Sequence, residues 1–415
     1  MKIESPIYRF EKFDKNWLFV KISDLASQFK TGGTPSTKEP TFWGGSIPWI
    51  QSSDIQKDIL FGVIPQKFIS EEGLQKSSAK LIPKNSIAIV TRVGVGKLAI
   101  IDQDYATSQD FLSLSDFDGD ILFIVYSIYR MLQKESTQLQ GTSIKGITKE
   151  DILSKKISLP EIDEQSAIGS LFRTLDDLLS SYKDNLANYQ SLKATMLSKM
   201  FPKAGQTVPE IRLDGFEGEW EKVNLETSTV RLKSFSLSRD VETKDNTGMR
   251  YIHYGDIHTG RASYINDENV LPYISQDLKI TEFLKNGDLI FADASEDYKG
   301  IAEVSLLAVD PKDNVIAGLH TIALRPNKNL DSTFLYYLFK TQTFRKYGYK
   351  VGTGMKVFGI SPTNLMKYEY YHPSLEEQQA IGAYFSNLDN LIAAHQEKIS
   401  QLETLKKKLL QDMFI

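Results

Sequence analysis

Acidic and basic residues in the second half of the chain have the order that metal-dependent nucleases use. Asp293, Asp297 and Lys299 lie within DASEDYK, and carboxylates that hold a metal beside a cation can activate water for phosphodiester cleavage. Acidic turn residues at this spacing are common, and the first half of the chain has no counterpart of them. A solvated turn therefore explains the segment better than a nuclease site, which stays an alternative.

Other candidate motifs also lack the spacing that their chemistry requires. In TRVGVGKLA (91–99) the first glycine is misplaced for a phosphate loop, and no Ser or Thr follows Lys97. The histidines form no H-E-x-x-H motif, and His253 and His258 are interpreted as polar surface residues. The absence of cysteine excludes a thiolate zinc site. We expect a non-catalytic chain with no cofactor or metal of its own.

Polar loops with cations and hydroxyls form a candidate surface for nucleic acid. Two glycine-rich loops, GTSIKGIT (141–148) and GTGMKVFG (352–359), occupy matching places in the two halves. Lysines neutralise phosphates, and glycine-rich backbone can approach them closely. The segments 31–45 and 231–239 add hydroxyls and cations that suit base edges. The residues that we assign to DNA contact are Thr34, Ser36, Thr37, Lys38, Ser52, Arg92, Lys97, Lys145, Arg231, Lys233, Arg239, His253, Tyr254, Lys299 and Lys356.

The overall composition is that of an ordinary globular protein. The chain has 415 residues, with 41% hydrophobic and 25% charged residues, which favours two or three domains. A net charge of −4 excludes a globally basic nucleic-acid binder and leaves a locally basic one open. We find no apolar run long enough for a signal peptide or a membrane helix, so we expect a cytoplasmic protein without a membrane partner.

Two stretches of the sequence repeat each other, and the repeat divides the chain. Residues 160–201 align without gaps with residues 373–414, and 15 of the 42 paired positions are identical. Arg9 and Trp17, before the first module, recur as Arg212 and Trp220. The expected segments are module one (1–159), helix (160–201), linker (202–208), module two (209–372) and helix (373–415).

The repeated stretches have apolar residues at heptad spacing, which predicts long helices that pair as a coiled coil. The expected pairing residues are Ile168, Phe172, Leu175, Leu179 and Leu186 in the first helix and Ile381, Phe385, Leu388, Ile392 and Ile399 in the second. Ser374 with Glu377 predicts a capping box. Lys193 and Lys406 occupy equal seam positions. Either each lysine extends past the seam to water, or the two fix the register of the helices.

Each module has the pattern of mixed α and β structure. Short β-branched or aromatic runs such as SIAIVT (86–91) and DLIFAD (288–293) lie between turn residues. A helix-like stretch follows late in each module. Strands followed by a helix predict an α+β fold, and the repeat makes the whole chain pseudo-two-fold.

This organisation resembles the specificity subunit of type I restriction–modification systems. The segments that carry the resemblance are GGTPST, WGGSIPWIQSSDI, GTSIKGIT and PEIDEQSAIGSLF in the first half, and YIHYGDI, AGLHTIALRP, GTGMKVFGIS and HPSLEEQQAIGAYFSNLDNLI in the second. P-x-x-x-E-Q-x-A-I-G followed by a helix occurs twice. The resemblance covers nearly the whole chain.

The resemblance implies that each module is a target-recognition domain for one half of a split, asymmetric site in double-stranded DNA. It implies that the helices pair antiparallel, as a spacer and a docking surface. It also implies two modification subunits that bind S-adenosylmethionine and methylate a flipped adenine, and restriction subunits that use ATP and Mg²⁺ to cleave DNA. Because the modules differ in length and sequence, the half-sites should differ.

Two other functions fit parts of the sequence. One is a non-catalytic coiled-coil scaffold that presents two protein-binding domains. The other is a stand-alone nuclease that uses Asp293, Asp297 and Lys299. DNA binding in the presence of a modification subunit would favour the specificity subunit, whereas unaided cleavage with magnesium would favour the nuclease.

Overall fold

The computed structural model describes residues 6–92, 96–138, 146–275, 280–295, 300–353 and 358–415, without the side chains of residues 136–138. It contains two compact units. Unit 1 comprises Met1–Lys183 and Glu397–Ile415, and unit 2 comprises Asp184–Gln396. Each long helix therefore contributes one half to each unit.

Module one lies in unit 1 and combines short strands with helices. Its described strands are β1 (Leu18–Lys21), β2 (Ala26–Thr31), β3 (Trp43–Ile50), β4 (Lys67–Ile69), β5 (Ser86–Val90), β6 (Leu98–Ile101), β7 (Ala106–Thr107), β8 (Phe111–Phe117) and β9 (Lys156–Leu159). Its helices are α1 (Glu71–Gln75), α2 (Ile121–Gln138) and α3 (Lys149–Ser154), and the long helix α4 (Ile162–Lys199) follows. The apolar run of β5 is buried at every position, because the strand lies inside the sheet.

Module two lies in unit 2 and has a longer series of elements. Its described strands are β10 (Glu221–Asn224), β11 (Thr229–Leu232), β12 (Glu242–Thr243), β13 (Met249–Ile252), β14 (Tyr264–Ile265), β15 (Tyr273–Ile274), β16 (Leu289–Ala292), β17 (Ala294–Ser295), β18 (Val304–Leu307), β19 (Asn314–Ala317), β20 (Thr321–Pro326), β21 (Phe358–Gly359) and β22 (Glu369–His372). Its helices are α5 (Leu225–Ser228), α6 (Tyr254–His258), α7 (Ser332–Lys340), α8 (Gln342–Val351) and α9 (Pro362–Met366), and the long helix α10 (Leu375–Asp412) follows.

The sheet topology repeats between the modules. A sheet with the order β2-β8-β5-β6 in module one recurs as β11-β20-β16-β18 in module two, with β14 added at its edge. The order β4-β3-β7 recurs as β15-β13-β19, with β12 added, and the last pair is parallel in both modules. The α+β class and the internal repeat predicted from the sequence are confirmed.

Much of the extra length of module two lies in two connections. Ile89 pairs with Leu98, nine residues later, whereas its counterpart Phe291 pairs with Val304, thirteen residues later. The segment between β18 and β19 is also longer than the one between β6 and β7. Sheet positions are therefore kept while connections vary, as expected for loops that do not build the core.

The repeated P-x-x-x-E-Q motif attaches each module to its long helix through the glutamine. Gln165 donates to the Pro160 carbonyl at 2.8 Å and accepts from the Asp120 backbone N–H at 3.0 Å. In the second half, Gln378 donates to the Pro373 carbonyl at 2.9 Å and accepts from the Asp331 backbone N–H at 2.9 Å. Each aspartate starts the preceding module helix, so one amide side chain joins two helix N-termini.

The motif ends in a glycine because the module helix approaches it closely. A Cβ on Gly169 would lie 2.8 Å from Asp120 Oδ1, and one on Gly382 would lie 3.0 Å from Asp331 Oδ1. A larger residue at either position would push the module away from its helix.

The glutamate of the motif forms a buried ion pair with the arginine at the start of each half. Arg9 binds both carboxylate oxygens of Glu164 at 2.7 Å. Arg212 binds Glu377 in the same way at 2.7 and 2.6 Å. The predicted capping box is thus half wrong. Ser374 Oγ does accept from the Glu377 backbone N–H at 3.3 Å, but the Glu377 carboxylate binds the arginine.

We expect Arg212→Ala to destabilise unit 2 strongly. Glu377 is 1% exposed, and removing one partner of a buried pair costs about 3 kcal/mol. Lys222→Ala is the control, because its pair with Glu369 is about half exposed and such pairs contribute about 1 kcal/mol or less. Urea unfolding measured by tryptophan fluorescence compares the two variants. Equal unfolding midpoints would contradict a structural role for the pair.

The long helices pair antiparallel within each unit. In unit 1, Lys183 of α4 lies 2.7 Å from Glu403 of α10, and Asp176, earlier on α4, binds Lys406, later on α10. In unit 2, the rings of Tyr189 and His395 are 5.1 Å apart. No helix among the described residues is long and apolar enough to cross a membrane.

The predicted seam residues occupy the inner face of this helix pair. Those that are buried are Ile168, Phe172, Leu175, Leu179, Ile381, Phe385 and Leu388, and those that are half-buried are Leu186, Ile392 and Ile399. Each C-terminal end adds an aromatic ring to the core. Phe414 stacks on Phe123 in unit 1, and Phe201 stacks on Phe385 in unit 2. Apolar residues at heptad spacing thus become the coiled coil that the sequence predicts.

Candidate nucleic-acid interface

In module one, several predicted DNA-contact residues meet at the turn between β7 and β8. The Asp110 carbonyl accepts from the Thr91 backbone N–H at 2.7 Å. Thr34 Oγ1 donates to Gln109 at 2.7 Å. The Ile147 backbone N–H donates to the Thr91 carbonyl at 2.9 Å, which brings the end of the GTSIKGIT loop to the same place. We call residues 33–38, 50–52, 91–92, 97, 108–110 and 146–147 the first junction.

Two of the three cations of the first junction, Arg92 and Lys97, lie near its turn contacts. Arg92 is exposed beside the Thr91 contact. Lys97 Nζ donates to the Ser52 carbonyl at 3.2 Å, which places these two predicted residues together. A guanidinium without a carboxylate partner in the described contacts can bind a phosphate or a guanine edge.

The polar turn of the first junction is held by the buried Trp49 and the half-buried Trp43. Trp49 Nε1 donates to the Gly33 carbonyl at 3.0 Å, and Trp43 Nε1 donates to the Ser36 carbonyl at 3.1 Å. Thr37 and Lys38 remain exposed. A fixed backbone that presents exposed hydroxyl and ammonium groups suits binding to phosphates or base edges.

Module two builds the equivalent place from different side chains. The Asp293 backbone N–H donates to the His320 carbonyl at 3.0 Å, and the Ile360 backbone N–H donates to the Asp293 carbonyl at 2.9 Å. The Tyr254 backbone N–H donates to the Leu319 carbonyl at 3.3 Å. We call residues 235, 252–254, 258, 293–295, 317–320 and 358–360 the second junction.

Aromatic and imidazole rings cluster at the second junction. The Tyr254 ring lies 4.5 Å from His253, 5.8 Å from His258 and 5.3 Å from His320. His320 is half exposed and lies 3.1 Å from Asp293 Oδ1. Tyr254 and His320 thus provide π faces and hydrogen-bonding groups where module one has a hydroxyl and a carboxylate.

The interpretation of His253 as a surface residue is wrong, because the side chain is buried and caps a helix. The side chain is 6% exposed, and its Nδ1 accepts from the Gly255 backbone N–H at 3.1 Å. Burial and the nearby Arg239 guanidinium lower the pKa of His253, so the ring stays a neutral helix cap. Its predicted contact with DNA remains untested.

The basic segment of module two is only partly available to a phosphate. Arg239 binds Glu242 at 2.7 Å and Asp256 at 3.1 Å, so its charge is compensated. Arg231 is exposed but pairs with Leu324 along the sheet, away from the turn at His320. Lys233 is exposed and its ammonium lies 5.0 Å from the Phe235 ring. The segment reaches the second junction at Phe235, whose backbone N–H donates to the Ala317 carbonyl at 2.9 Å.

Several predicted residues lie outside the described parts of the chain. These are Lys145, Lys299 and Lys356, together with Asp297 of the alternative nuclease set. Among the described residues, no group of three or more His, Cys, Asp or Glu side chains could hold a metal ion. Asp293 itself is paired with His320.

Sequence reasoning missed the turn residues that connect each junction. Gln109 and His320 belong to the turns that follow β7 and β19. Neither was assigned a role, although His320 lies within AGLHTIALRP, one of the segments that carry the resemblance. His320 has a positive φ of 54°, a conformation that is uncommon for a non-glycine residue. The available signal was AGLHTIALRP itself, and the equivalence of His320 with Asp110 follows from the matching hydrogen bonds that Asp293 and Thr91 donate to their carbonyls.

The same junction occurs once in each module, as expected for a protein with two copies of one DNA-recognition domain. Comparison with protein families shows which domain this is. The model described as "Type I restriction modification DNA specificity domain" matches residues 14–188 and again residues 218–404. The chain belongs to this family. Each specificity domain contains one junction and the first part of one long helix.

Curated relatives of this specificity-domain protein are specificity subunits of type I restriction enzymes. The MjaVIII subunit of Methanocaldococcus jannaschii is 24% identical over 99% of this chain and 96% of its own length. The MjaIX subunit of the same organism is 28% identical over 59% of this chain, which spans about half (56%) of that relative. The EcoR124I/EcoR124II subunit of Escherichia coli is 32% identical over 37% of this chain and 40% of its own length.

Solved structures share the fold. The S subunit of a type I restriction–modification system from M. genitalium matches with a TM-score of 0.64, at 16% identity, over 99% of both chains. A chain from a structure of the assembled type I system matches with a TM-score of 0.51, at 18% identity, over 97% of this chain and 98% of that one.

Proposed function

We propose that this chain is the DNA-specificity subunit of a type I restriction–modification complex. Each junction would bind one half of a two-part site in double-stranded DNA. The observation that supports this most is the repeat of one loop junction, at the same place in the topology, in two modules joined by long helices. Contacts to phosphates would position each module, and contacts to base edges would select the sequence.

The two junctions should recognise different half-sites. Ser52 in module one is replaced by Tyr254 in module two, and Asp110 is replaced by His320. The cations Arg92 and Lys97 suit guanine acceptors. The rings of Tyr254 and His320 suit the edges of bases other than guanine, and the methyl group of thymine. An asymmetric site follows from these differences.

Exposed leucines on the long helices support binding to two copies of one partner. Leu178 and Leu405 are 42% and 44% exposed in unit 1. Leu192 and Leu391 are 37% and 41% exposed in unit 2. We infer that these equivalent pairs, one in each unit, are where a partner protein packs. We assign them to two modification subunits, and further assembly to restriction subunits.

In this proposal the chemistry belongs to the partners. The modification subunits would bind S-adenosylmethionine and methylate adenine, and the restriction subunits would use ATP and Mg²⁺. This chain would be non-catalytic and would act in the cytoplasm, where the DNA is. A gel shift on long duplex DNA, with and without a modification subunit, tests the proposal. A scaffold that binds only proteins would give no sequence-dependent shift.

Arg92→Ala should weaken binding through the first junction. If Arg92 contacts a phosphate, affinity falls for all sequences and the slope of log affinity against log salt becomes smaller by about one. If it contacts a base, discrimination at one position falls by about 1–3 kcal/mol. Lys84→Ala, an exposed lysine of the same module, is the control. Unchanged binding of the Arg92 variant at two salt concentrations would remove this arginine from the interface.

A further inference from the structure

Each unit contains a cluster of one lysine, one aspartate and one tyrosine where the helices pair. In unit 1, Lys406 of α10 binds Asp176 of α4, and the Tyr126 hydroxyl of α2 donates to the other Asp176 oxygen at 2.6 Å. In unit 2, Lys193 of α4 binds Asp389 of α10. The hydroxyl of Tyr337, on α7, donates to the other Asp389 oxygen at 2.7 Å. We call these the two Lys–Asp–Tyr clusters.

The cluster of unit 1 is the more enclosed of the two, so its charges depend strongly on each other. Lys406 is 9% exposed and the Tyr126 side chain is fully buried. The Lys406 ammonium lies 5.8 Å from the centre of the Tyr126 ring, a favourable position for a cation. Burial and the adjacent carboxylate raise the pKa of Tyr126, so its hydroxyl stays a donor at neutral pH. The alternative that Lys406 extends past the seam to water is therefore wrong.

The order of charges along the helices is specific for one arrangement. Each helix carries an aspartate and, 17 residues later, a lysine: Asp176 and Lys193 on α4, Asp389 and Lys406 on α10. Antiparallel pairing places each aspartate against a lysine, whereas parallel pairing would place like charges together. A slip by one helical turn would leave Lys406 buried without its carboxylate, which is unfavourable.

Apolar residues alone would not give this specificity. Leu, Ile and Phe recur every seven residues in both seams, so a shifted pairing still buries apolar side chains. A polar residue within a seam is a known means of excluding other registers. Here each polar pair is also bonded to a tyrosine of the neighbouring module, which ties the position of the module to the register.

We propose that the two Lys–Asp–Tyr clusters fix the register of α4 against α10 and thereby restrict the DNA gap between the two half-sites to one length. The part of this inference that concerns DNA rests on the proposed function. The part that concerns the helices does not.

Spin labels can measure the register directly, because the chain has no cysteine. Ser180→Cys on α4 and Gln411→Cys on α10 place labels at exposed positions of unit 1. We expect one narrow distance distribution in the native background. With Lys193→Met and Lys406→Met, we expect a second population displaced by about 5 Å, one helical turn. Methionine keeps the seam apolar, and Lys398→Met with Lys407→Met, two exposed positions of α10, is the control.

The DNA gap is measured with the full chain and a modification subunit. A library keeps both half-sites and varies the gap by single base pairs. Discrimination between gaps should fall by about tenfold in the double variant, a change of about 1.4 kcal/mol, while half-site preference stays the same. Of the two single variants, Lys406→Met should reduce discrimination between gaps more than Lys193→Met. The Lys193 side chain is 24% exposed, whereas the Lys406 side chain is 11% exposed.

The possible results distinguish a failure of the register inference from a failure of the proposed function. One distance population and an unchanged gap preference in the double variant would overturn the inference. A second distance population, in a protein whose native form binds no two-part site, would support the register role and contradict the proposed function. If the methionine variant fails to fold, Asp176→Asn with Asp389→Asn keeps the tyrosine hydrogen bonds while removing the ion pairs. The same two measurements then apply to it.

Discussion

Replacing residues 22–155 with the corresponding segment of a relative should change one half of the recognised DNA site and leave the other half intact. The segment lies between β1 and β9 and carries the whole first junction. Affinity for the original first half-site should fall to that of non-specific DNA, about a thousandfold or more. Selection from random duplex DNA, with a modification subunit present, measures both half-sites together.

The reciprocal exchange is the matched control. Residues 225–368 lie between β10 and β22 and carry the second junction. Replacing them should change the second half-site alone. If either exchange altered both half-sites, the modules would recognise DNA jointly, and the assignment of one junction to one half-site would be wrong.

The double substitution Leu178→Asp with Leu405→Asp should remove one of two bound modification subunits. Both leucines belong to unit 1 and lie within two residues of the Asp176–Lys406 contact. If both leucines become buried when the partner binds, losing them costs about 3 kcal/mol or more, roughly a hundredfold in Kd. Native mass spectrometry should count one modification subunit for each chain instead of two.

Charge alone is controlled by substitutions elsewhere on the same helices. Ser180→Asp with Gln411→Asp adds the same two negative charges at exposed positions. We expect this control to retain both modification subunits. Two bound subunits in the leucine variant as well would show that the exposed leucines are not the docking surface.

The repeat made the architecture predictable from sequence. Heptad spacing and the duplicated P-x-x-x-E-Q-x-A-I-G motif were enough to predict two modules and two paired helices. The secondary structure of these elements is largely determined by the periodicity of apolar residues, which the sequence shows directly. Even Lys193 and Lys406 could be recognised as unusual, because charged residues in a seam are rare.

The partners of those residues could not be predicted. Asp176 and Asp389 lie on the opposite helix from the lysines they bind, and Tyr126 and Tyr337 lie on module helices far away in sequence. The Glu377 carboxylate was expected to cap its own helix, and it binds Arg212 across the fold instead. Such choices depend on tertiary distances that local spacing does not contain.

Only part of the candidate site could be predicted, because local sequence does not show which loops meet in the fold. The segment 31–45 was recognised from its composition, and it lies at one junction with Ser52, Arg92 and Lys97, three other residues that we assigned to DNA contact. His320 was missed, although it lies in AGLHTIALRP, because residue types do not show that this turn meets Asp293 and Tyr254. His253 was placed on the surface because its cap bond to Gly255 is invisible in a list of residue types.

The measurement that tests the central claim most directly is genome-wide sequencing of methylated bases in a host that carries this chain with its modification subunit. Our account predicts methylated adenines in a single two-part sequence, with unlike halves separated by a gap of fixed length. This methylation should disappear when the gene for this chain is deleted. Methylation that persists without the chain, or that follows one continuous sequence, would contradict the account.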